Sequence, residues 1–283
     1  MPEAPQYINP PIGDLFPRLI LGDLYEVYPR IEPKTVALAF CDFPWGVLKL
    51  DWDKRPQRWL LIEEILDTVL KENGVVVLRA SFEFSSFLIE KLSNRFTYKH
   101  YYVLAKPGMV VNAFNPISST EFLIVMRRKT CPVKDLVFNK FESGIVGPVY
   151  RKKNYPRNMS TRAGTKGEEN VGHPEGKRMV RSILESRSKS NMRREERYSH
   201  PCQLDTKPIT TILKVHTMPG DLVFDPMAGS GSVLESSYNS ARRSCGIEIN
   251  PLYHAEAAKR IARITTGTAP AAFQADLFTG DIR

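Results

Sequence analysis

The sequence predicts an α/β protein: a mostly parallel, twisted sheet with helices on both faces, interrupted by one basic, loop-rich insertion. Three observations carry this prediction. Strand-like apolar runs alternate with helical spacing up to about residue 128, regular patterning returns after Ser199, and the stretch between loses its periodicity while gaining positive charge.

The first strand is expected over Thr35–Phe40. Trp59, Ile62, Leu66 and Val69 then recur at three to four residues, an amphipathic helix expected to end near Asn73 and Gly74. Strands are expected over Gly74–Arg79, Tyr98–Leu104 and Glu121–Met126. A short helix is expected near Gly176–Ser188 within an otherwise irregular stretch. From Pro208 to His216 the spacing is helical, with Thr206 as the cap. Met218-Pro-Gly-Asp221 turns the chain into a strand over Leu222–Phe224. A helix from Ser232, a strand over Cys245–Ile247 ending at Glu248, and a helix opened by Asn250 and Pro251 complete the pattern. Three segments follow: 1–128 and 199–283 as the two halves of one domain, and 129–198 as an insertion.

With 42% hydrophobic and 25% charged residues in 283, the composition is that of a globular chain with one main core. Apolar runs reach only about eight residues, too short for a bilayer, and the N-terminal residues lack a signal-peptide pattern, so an intracellular protein with no membrane partner is expected. Four dispersed cysteines read as reduced thiols, and no metal site is expected. The net charge of +9 is localised: residues 129–198 hold 17 Lys/Arg against 8 Asp/Glu, and the remainder is balanced at 23 each. Such a run is either a solvated loop or a surface for a polyanion. Lys152, Lys153, Arg157, Arg162, Lys177 and Arg178 are the candidate nucleic-acid contacts, with Tyr150 and Tyr155 as stacking groups. Tyr101, Tyr102 and Phe114 are expected in the core.

Two short stretches suggest chemistry. In Cys41-Asp-Phe-Pro-Trp-Gly46 an apolar strand ends in a carboxylate and then a proline between aromatics, an arrangement suited to holding something. In Phe224-Asp-Pro-Met-Ala-Gly-Ser-Gly-Ser232 a strand ends in an acid and passes through Gly-x-Gly into a helix. Alone, that is either a tight turn or a ligand cradle. Glu248, ending the next strand, stands where an acid can accept from both ribose hydroxyls of a nucleoside, so the pair favours a nucleoside cofactor.

In order along the chain, Leu21-Gly-Asp-Leu24, Asp42-Phe-Pro-Trp45, the basic insertion, His200-Pro-Cys-Gln, Pro219-Gly-Asp221, Phe224-Asp-Pro-Met-Ala-Gly-Ser-Gly231 and Gly246-Ile-Glu-Ile-Asn-Pro251 resemble the circularly permuted, β-class DNA amino-methyltransferases that act on adenine N6 or cytosine N4. The similarity spans most of residues 19–263 outside the insertion. It implies a Rossmann-like methyltransferase fold, S-adenosyl-L-methionine as cofactor, double-stranded DNA as substrate, and methyl transfer to a flipped-out base, adenine N6 ahead of cytosine N4. Methylation of RNA and an inactive DNA-binding relative are the alternatives. A homodimer and a restriction endonuclease partner are further expectations of the resemblance.

The resemblance also assigns roles. Asp42 and the carbonyl of Phe43 would accept the two N–H groups of the target amine, Pro44 would fix the turn, and Trp45 would stack on the base. Asp23, Phe224, Asp225, Pro226, Ala228, Gly229, Ser230, Gly231, Glu248 and Asn250 would bind the cofactor. His200 would be structural or pocket-lining. Phe43 stands where the family has its first proline, Met227 replaces a common aromatic, and Leu204–Thr206 lengthens the His-Pro-x-Gln element. The first departure is expected to loosen the loop and to put bulk near the base pocket.

Overall fold

The computed structural model describes residues 7–10, 14–48, 50, 53–110, 118–142, 144–147 and 175–266, centred on an eight-stranded sheet. Its strands are β1 (Arg18–Leu21), β2 (Val36–Cys41), β3 (Leu70–Ala80), β4 (Phe96–Val110), β5 (Ser118–Arg128), β6 (Ile183–Glu185), β7 (Leu222–Asp225) and β8 (Arg243–Glu248). The spatial order is β1-β8-β7-β2-β3-β5-β4-β6. Neighbours from β1 through β3 run parallel, β5 is antiparallel to β3 and β4, and β6 lies parallel to β4 at the edge.

Side-chain alternation along the strands sorts the core into two layers. Ala39, Cys41, Val76, Leu78, Ile124 and Met126 face α2 (Trp59–Val69) and α3 (Phe82–Lys91), with α1 (Leu24–Val27) beside them. Leu38, Phe40, Val75, Val77, Leu123 and Val125 face α4 (Thr206–His216), α5 (Ser232–Asn239) and α6 (Pro251–Thr265). Strands covered on both faces explain the unbroken apolar runs in β2 and β3. Among the described residues no helix is long and apolar enough to cross a membrane.

Several expectations are corrected. The helix α2 stops at Val69 and Leu70 already pairs with Val36, because the buried Arg128 guanidinium binds the carbonyls of Asp67, Leu70 and Lys71 and so fixes the chain out of helical geometry. Residues 71–74 then bulge before Val75 rejoins the ladder opposite Leu38. The cap of α4 is Asp205, whose side chain accepts from the Lys207 amide, rather than Thr206. Near 176–188 the structure forms β6 instead of a helix, since the exposed edge of β4 offers Val103–Ala105 as a pairing template. Of the aromatics expected in the core, Tyr102 is buried, Tyr101 is 45% exposed on the opposite phase of β4, and Phe114 lies outside the described residues.

Candidate functional site

Parallel alignment places the C-terminal ends of β1, β8, β7, β2 and β3 along one edge, the edge at which open α/β sheets hold ligands. Asp23, Glu248, Asp225, Asp42 and Arg79 stand on or just beyond those ends in that order.

On the β8–β7 side, backbone conformation builds a cradle. Gly229 and Gly231 take φ of +50° and +74°, and a Cβ on Gly231 would stand 3.2 Å from that of Ala257 in α6. Glu248 Oε2 accepts from the Gly229 amide at 2.7 Å and Oε1 from the Asn250 amide at 2.8 Å, leaving lone pairs on both oxygens. Burial raises the pKa of Glu248, opposed by these amide bonds. The His200 ring packs edge-on to Tyr253, 4.3 Å between centroids, and its Nε2 lies 3.2 Å from where a Gly229 Cβ would be. His200 therefore lines the cradle. Burial, aided by Lys189, lowers its pKa to about 4, which keeps the ring neutral at physiological pH.

The expected cofactor residues divide by what their side chains already do. Asp225 is buried, and its Oδ1 accepts from the Met227 amide at 3.1 Å. Burial pushes its pKa well up, and the nearby Asp42 and Glu248 add to the shift. Phe224 is fully buried in the core layer, so its ring serves the fold. Pro226 is buried, and the amide of buried Ala228 donates to Ile247 O at 2.8 Å, tying the turn to β8. Ser230 is held from behind by Arg260, whose Nη1 donates to its carbonyl at 3.1 Å. The Asn250 side chain caps α6 by accepting from the Leu252 amide, and that of Asp23 caps α1 by accepting from the Tyr25 amide. For Asn250 and Asp23, the side chain thus has a structural use.

On the β2 side, the polypeptide leaves the core with its alternation intact. Phe43 continues the α2–α3 face, 1% exposed, its ring edge-on to Trp59 at 5.3 Å between centroids. This corrects the expectation of a looser loop and of bulk near the base pocket: the ring anchors the loop in the core, a different means of fixing the backbone than a proline. Phe43→Ala is expected to cost about 3 kcal/mol by leaving a cavity, seen as a lower denaturant midpoint.

Asp42 continues the opposite face. It enters a half-buried charge row missed by sequence reasoning: Arg79 Nη1 lies 3.0 and 2.8 Å from Asp42 Oδ1 and Oδ2. Arg79 Nε and Nη2 donate to Glu121 at 2.7 and 2.8 Å, and Lys106 Nζ lies 2.7 Å from Glu121 Oε1. Burial raises the pKa of Asp42 and the Arg79 charge opposes that rise. The Arg79 guanidinium also lies over the Trp45 ring, 4.9 Å from its centroid. Trp45 Nε1 is buried without a hydrogen-bond partner among the described residues.

The loop beyond Trp45 is organised by Asp53, likewise unforeseen. Its carboxylate accepts from the amides of Gly46 at 3.0 Å, Val47 at 2.8 Å and Leu48. Arg55 Nε donates to Trp45 O at 2.7 Å. Burial tends to raise the pKa of Asp53, but the amide bonds outweigh it and the net shift is downward. A lowered carboxylate pKa contributes stability above the unfolded value and loses it as pH falls through the folded one. Loop order is therefore expected to persist at neutral pH and to fail only in acid below the ordinary carboxylate range. Asp53→Asn should abolish that acid transition in Trp45 fluorescence while weakening the loop at pH 7.

Of the candidate nucleic-acid contacts, Lys177 and Arg178 are described. Lys177 bridges to Val146 through its backbone and pairs with Glu175 at 2.8 Å, and the Arg178 amide donates to Ile145 O. Lys152, Lys153, Arg157 and Arg162, with Tyr150 and Tyr155, lie outside the described residues.

The family model for N6/N4 methyltransferases, described as DNA methylase, matches residues 39–259. DNA adenine methyltransferase YhdJ of Escherichia coli K12 is 27% identical over 244 residues, covering 83% of this chain and 79% of the relative. Among solved structures, the M1.HpyAVI–SAM complex superposes with a TM-score of 0.57 at 23% identity, covering 86% of this chain and 98% of that one. The cytosine-N4-specific PvuII DNA methyltransferase gives 0.61 at 13% identity, covering 88% and 90%. At these identities the structural likeness is one of fold.

Proposed function

Since the chain belongs to the N6/N4 DNA methylase family, we propose that it transfers the methyl group of S-adenosylmethionine to an exocyclic amine of a flipped-out DNA base, adenine N6 in preference to cytosine N4. The observation that carries this reading is the placement of Asp42, one strand from the Gly229–Glu248 cradle on the same sheet edge and backed by a buried cation. The adenine preference is supported by the carboxylate at position 42 and by the name of the 27% identical relative.

The cradle fits a nucleoside cofactor. The two left-handed glycines keep the turn free of side chains, and the Glu248 oxygens have lone pairs left for ribose hydroxyls. Asp23, Asp225, His200 and the 228–231 turn would complete the enclosure. When bound, S-adenosylmethionine supplies an electrophilic methyl on a sulfonium.

The protein's part is electrostatic and positional. An exocyclic amine is a weak nucleophile because its lone pair is delocalised into the ring. Asp42 accepts one N–H and the Phe43 carbonyl the other, which favours a tetrahedral nitrogen and stabilises the positive charge it gains. The nitrogen bonds to the methyl carbon as the carbon–sulfur bond breaks. The surplus proton then passes along the hydrogen bond that Asp42 already accepts to the Asp42 carboxylate, and from there to solvent. Trp45 offers the stacking face. The reading extends to duplex DNA as substrate, to the basic residues of the insertion as its contacts, to a homodimer and to a partner restriction endonuclease.

The test is competition: labelled S-adenosylmethionine, duplex DNA and folded RNA in one reaction, with nucleosides separated afterwards. Label in N6-methyldeoxyadenosine supports the reading; label in RNA, or in N4-methyldeoxycytidine, replaces the substrate or base assignment.

A further inference from the structure

We propose that Arg79 is a positioning residue for methyl transfer: it orients the Asp42 carboxylate and ties it to the Trp45 ring. The inference rests on the role given to Asp42 above.

Val75, Val77 and Arg79 alternate on one face of β3, and Leu38 and Phe40 lead to Asp42 on the same face of the adjoining β2. On β5 and β4, the phase of Leu123 and Leu104 brings Glu121 and Lys106 to that face as well. Four strands thus contribute one row, Asp42, Arg79, Glu121, Lys106, whose charges alternate in sign. The row lies where apolar side chains would otherwise continue the core, and burying charge there is costly unless each member is paired.

Glu121 takes Nε and Nη2 of Arg79 in a two-point contact. Arg79 turns its remaining terminal nitrogen outward, where Nη1 contacts both Asp42 oxygens. Each oxygen accepts one such contact and keeps a lone pair for a substrate N–H. The same guanidinium lies against the Trp45 ring. One side chain therefore spans the proposed acceptor and the proposed stacking surface. Glu121 and Lys106 hold Arg79 from behind.

The charged and titratable groups around Asp42 set the sign of the pH effect. Arg79 on β3 and Lys106 on β4 favour its ionised form, while Glu121 on β5 and Asp225 at the end of β7 oppose it. The Cys41 thiol, on the opposite face of β2, and that of Cys202 in the 199–205 segment also feel the charge of Asp42. Removing the Arg79 charge leaves burial and the two acids unopposed except by Lys106, so the carboxylate protonates at higher pH and its acceptor function is lost sooner on acidification.

Arg79→Gln, Arg79→Lys and the pair Arg79→Gln with Glu121→Gln test this, the pair being included because the single change strands Glu121 beside Asp42 in the interior. Each is compared with wild type by thermal melting, cofactor titration and a kcat-against-pH profile, with Asp42→Ala run alongside. In the folded glutamine variants kcat is expected to fall about 30-fold, the scale of one charge-assisted hydrogen bond. Cofactor affinity and the KM for DNA should change far less, and the acid limb should move to higher pH. Arg79→Lys should restore part of the rate and return the limb toward wild type. A glutamine variant, single or paired, with wild-type kcat and an unmoved acid limb overturns the positioning role. Undiminished turnover in Asp42→Ala strikes instead at the reading on which it rests, so the two failures are distinguishable.

Discussion

Asp42→Ala is expected to abolish methyl transfer, lowering the single-turnover rate by at least about 1,000-fold, as loss of a preorganised acceptor does in a dry site. Cofactor affinity should be nearly unchanged. The physical reason for this split is the separation of partners. Asp42 bonds to Arg79, whereas the cradle is closed by Glu248 and the amides of Gly229 and Asn250. The fold should survive, because Arg79 retains its two-point contact with Glu121 after the carboxylate is removed. Asp42→Asn keeps one acceptor oxygen without the charge and is expected to fall between wild type and alanine. Rapid-quench measurement of methylated product, beside a calorimetric titration of S-adenosylmethionine, reads both quantities on the same preparations.

Glu248→Ala should show the converse pattern. It removes the acceptor for two amides in and beside the glycine turn, and a buried donor left unpaired costs about 1–3 kcal/mol. It also removes the oxygens proposed to accept from the ribose. Cofactor dissociation is expected to rise more than about 100-fold, since more than one charge-assisted hydrogen bond is lost. The melting temperature should fall as well, because the 228–231 turn loses its side-chain tie to the end of β8 and keeps only the backbone bond from Ala228 to Ile247. At saturating cofactor, transfer should recover to a much larger fraction of wild type than in Asp42→Ala. If the two variants lost the same property to the same extent, the division of the edge into a cofactor half and a reaction half would be wrong.

Much of this edge is legible in the sequence because strand ends are. The apolar run before Asp42 and the runs before Asp225 and Glu248 are short, uninterrupted and followed by turn residues. Asn250 before Pro251 is a helix start that depends on local chemistry alone. The Arg79 row shows where such reading stops. An arginine at the end of Val75-Val-Val-Leu-Arg79 is visible as an oddity, but its partners lie 37 and 42 residues away. Asp42 reaches it through the parallel pairing of β2 with β3 and Glu121 through the antiparallel return of β5, two registers that composition does not encode. Asp53 was likewise unreadable, since its work is to accept from amides of a loop whose path is set by the fold. The overlong helix had a tertiary cause too, in Arg128 claiming the carbonyls of 67–71. Phe43 could be seen as a departure from a proline position; that its ring turns into the core beside Trp59 follows from strand phase, which carries two residues past the strand end.

The most direct measurement is the nucleoside mass spectrum of mixed-sequence duplex DNA after incubation with S-adenosylmethionine and wild-type protein, with Asp42→Ala processed in parallel. The account predicts N6-methyldeoxyadenosine from the wild type and none from the variant. Equal methylation by both proteins, or no methylated base from a wild type shown to bind cofactor and DNA, would contradict it.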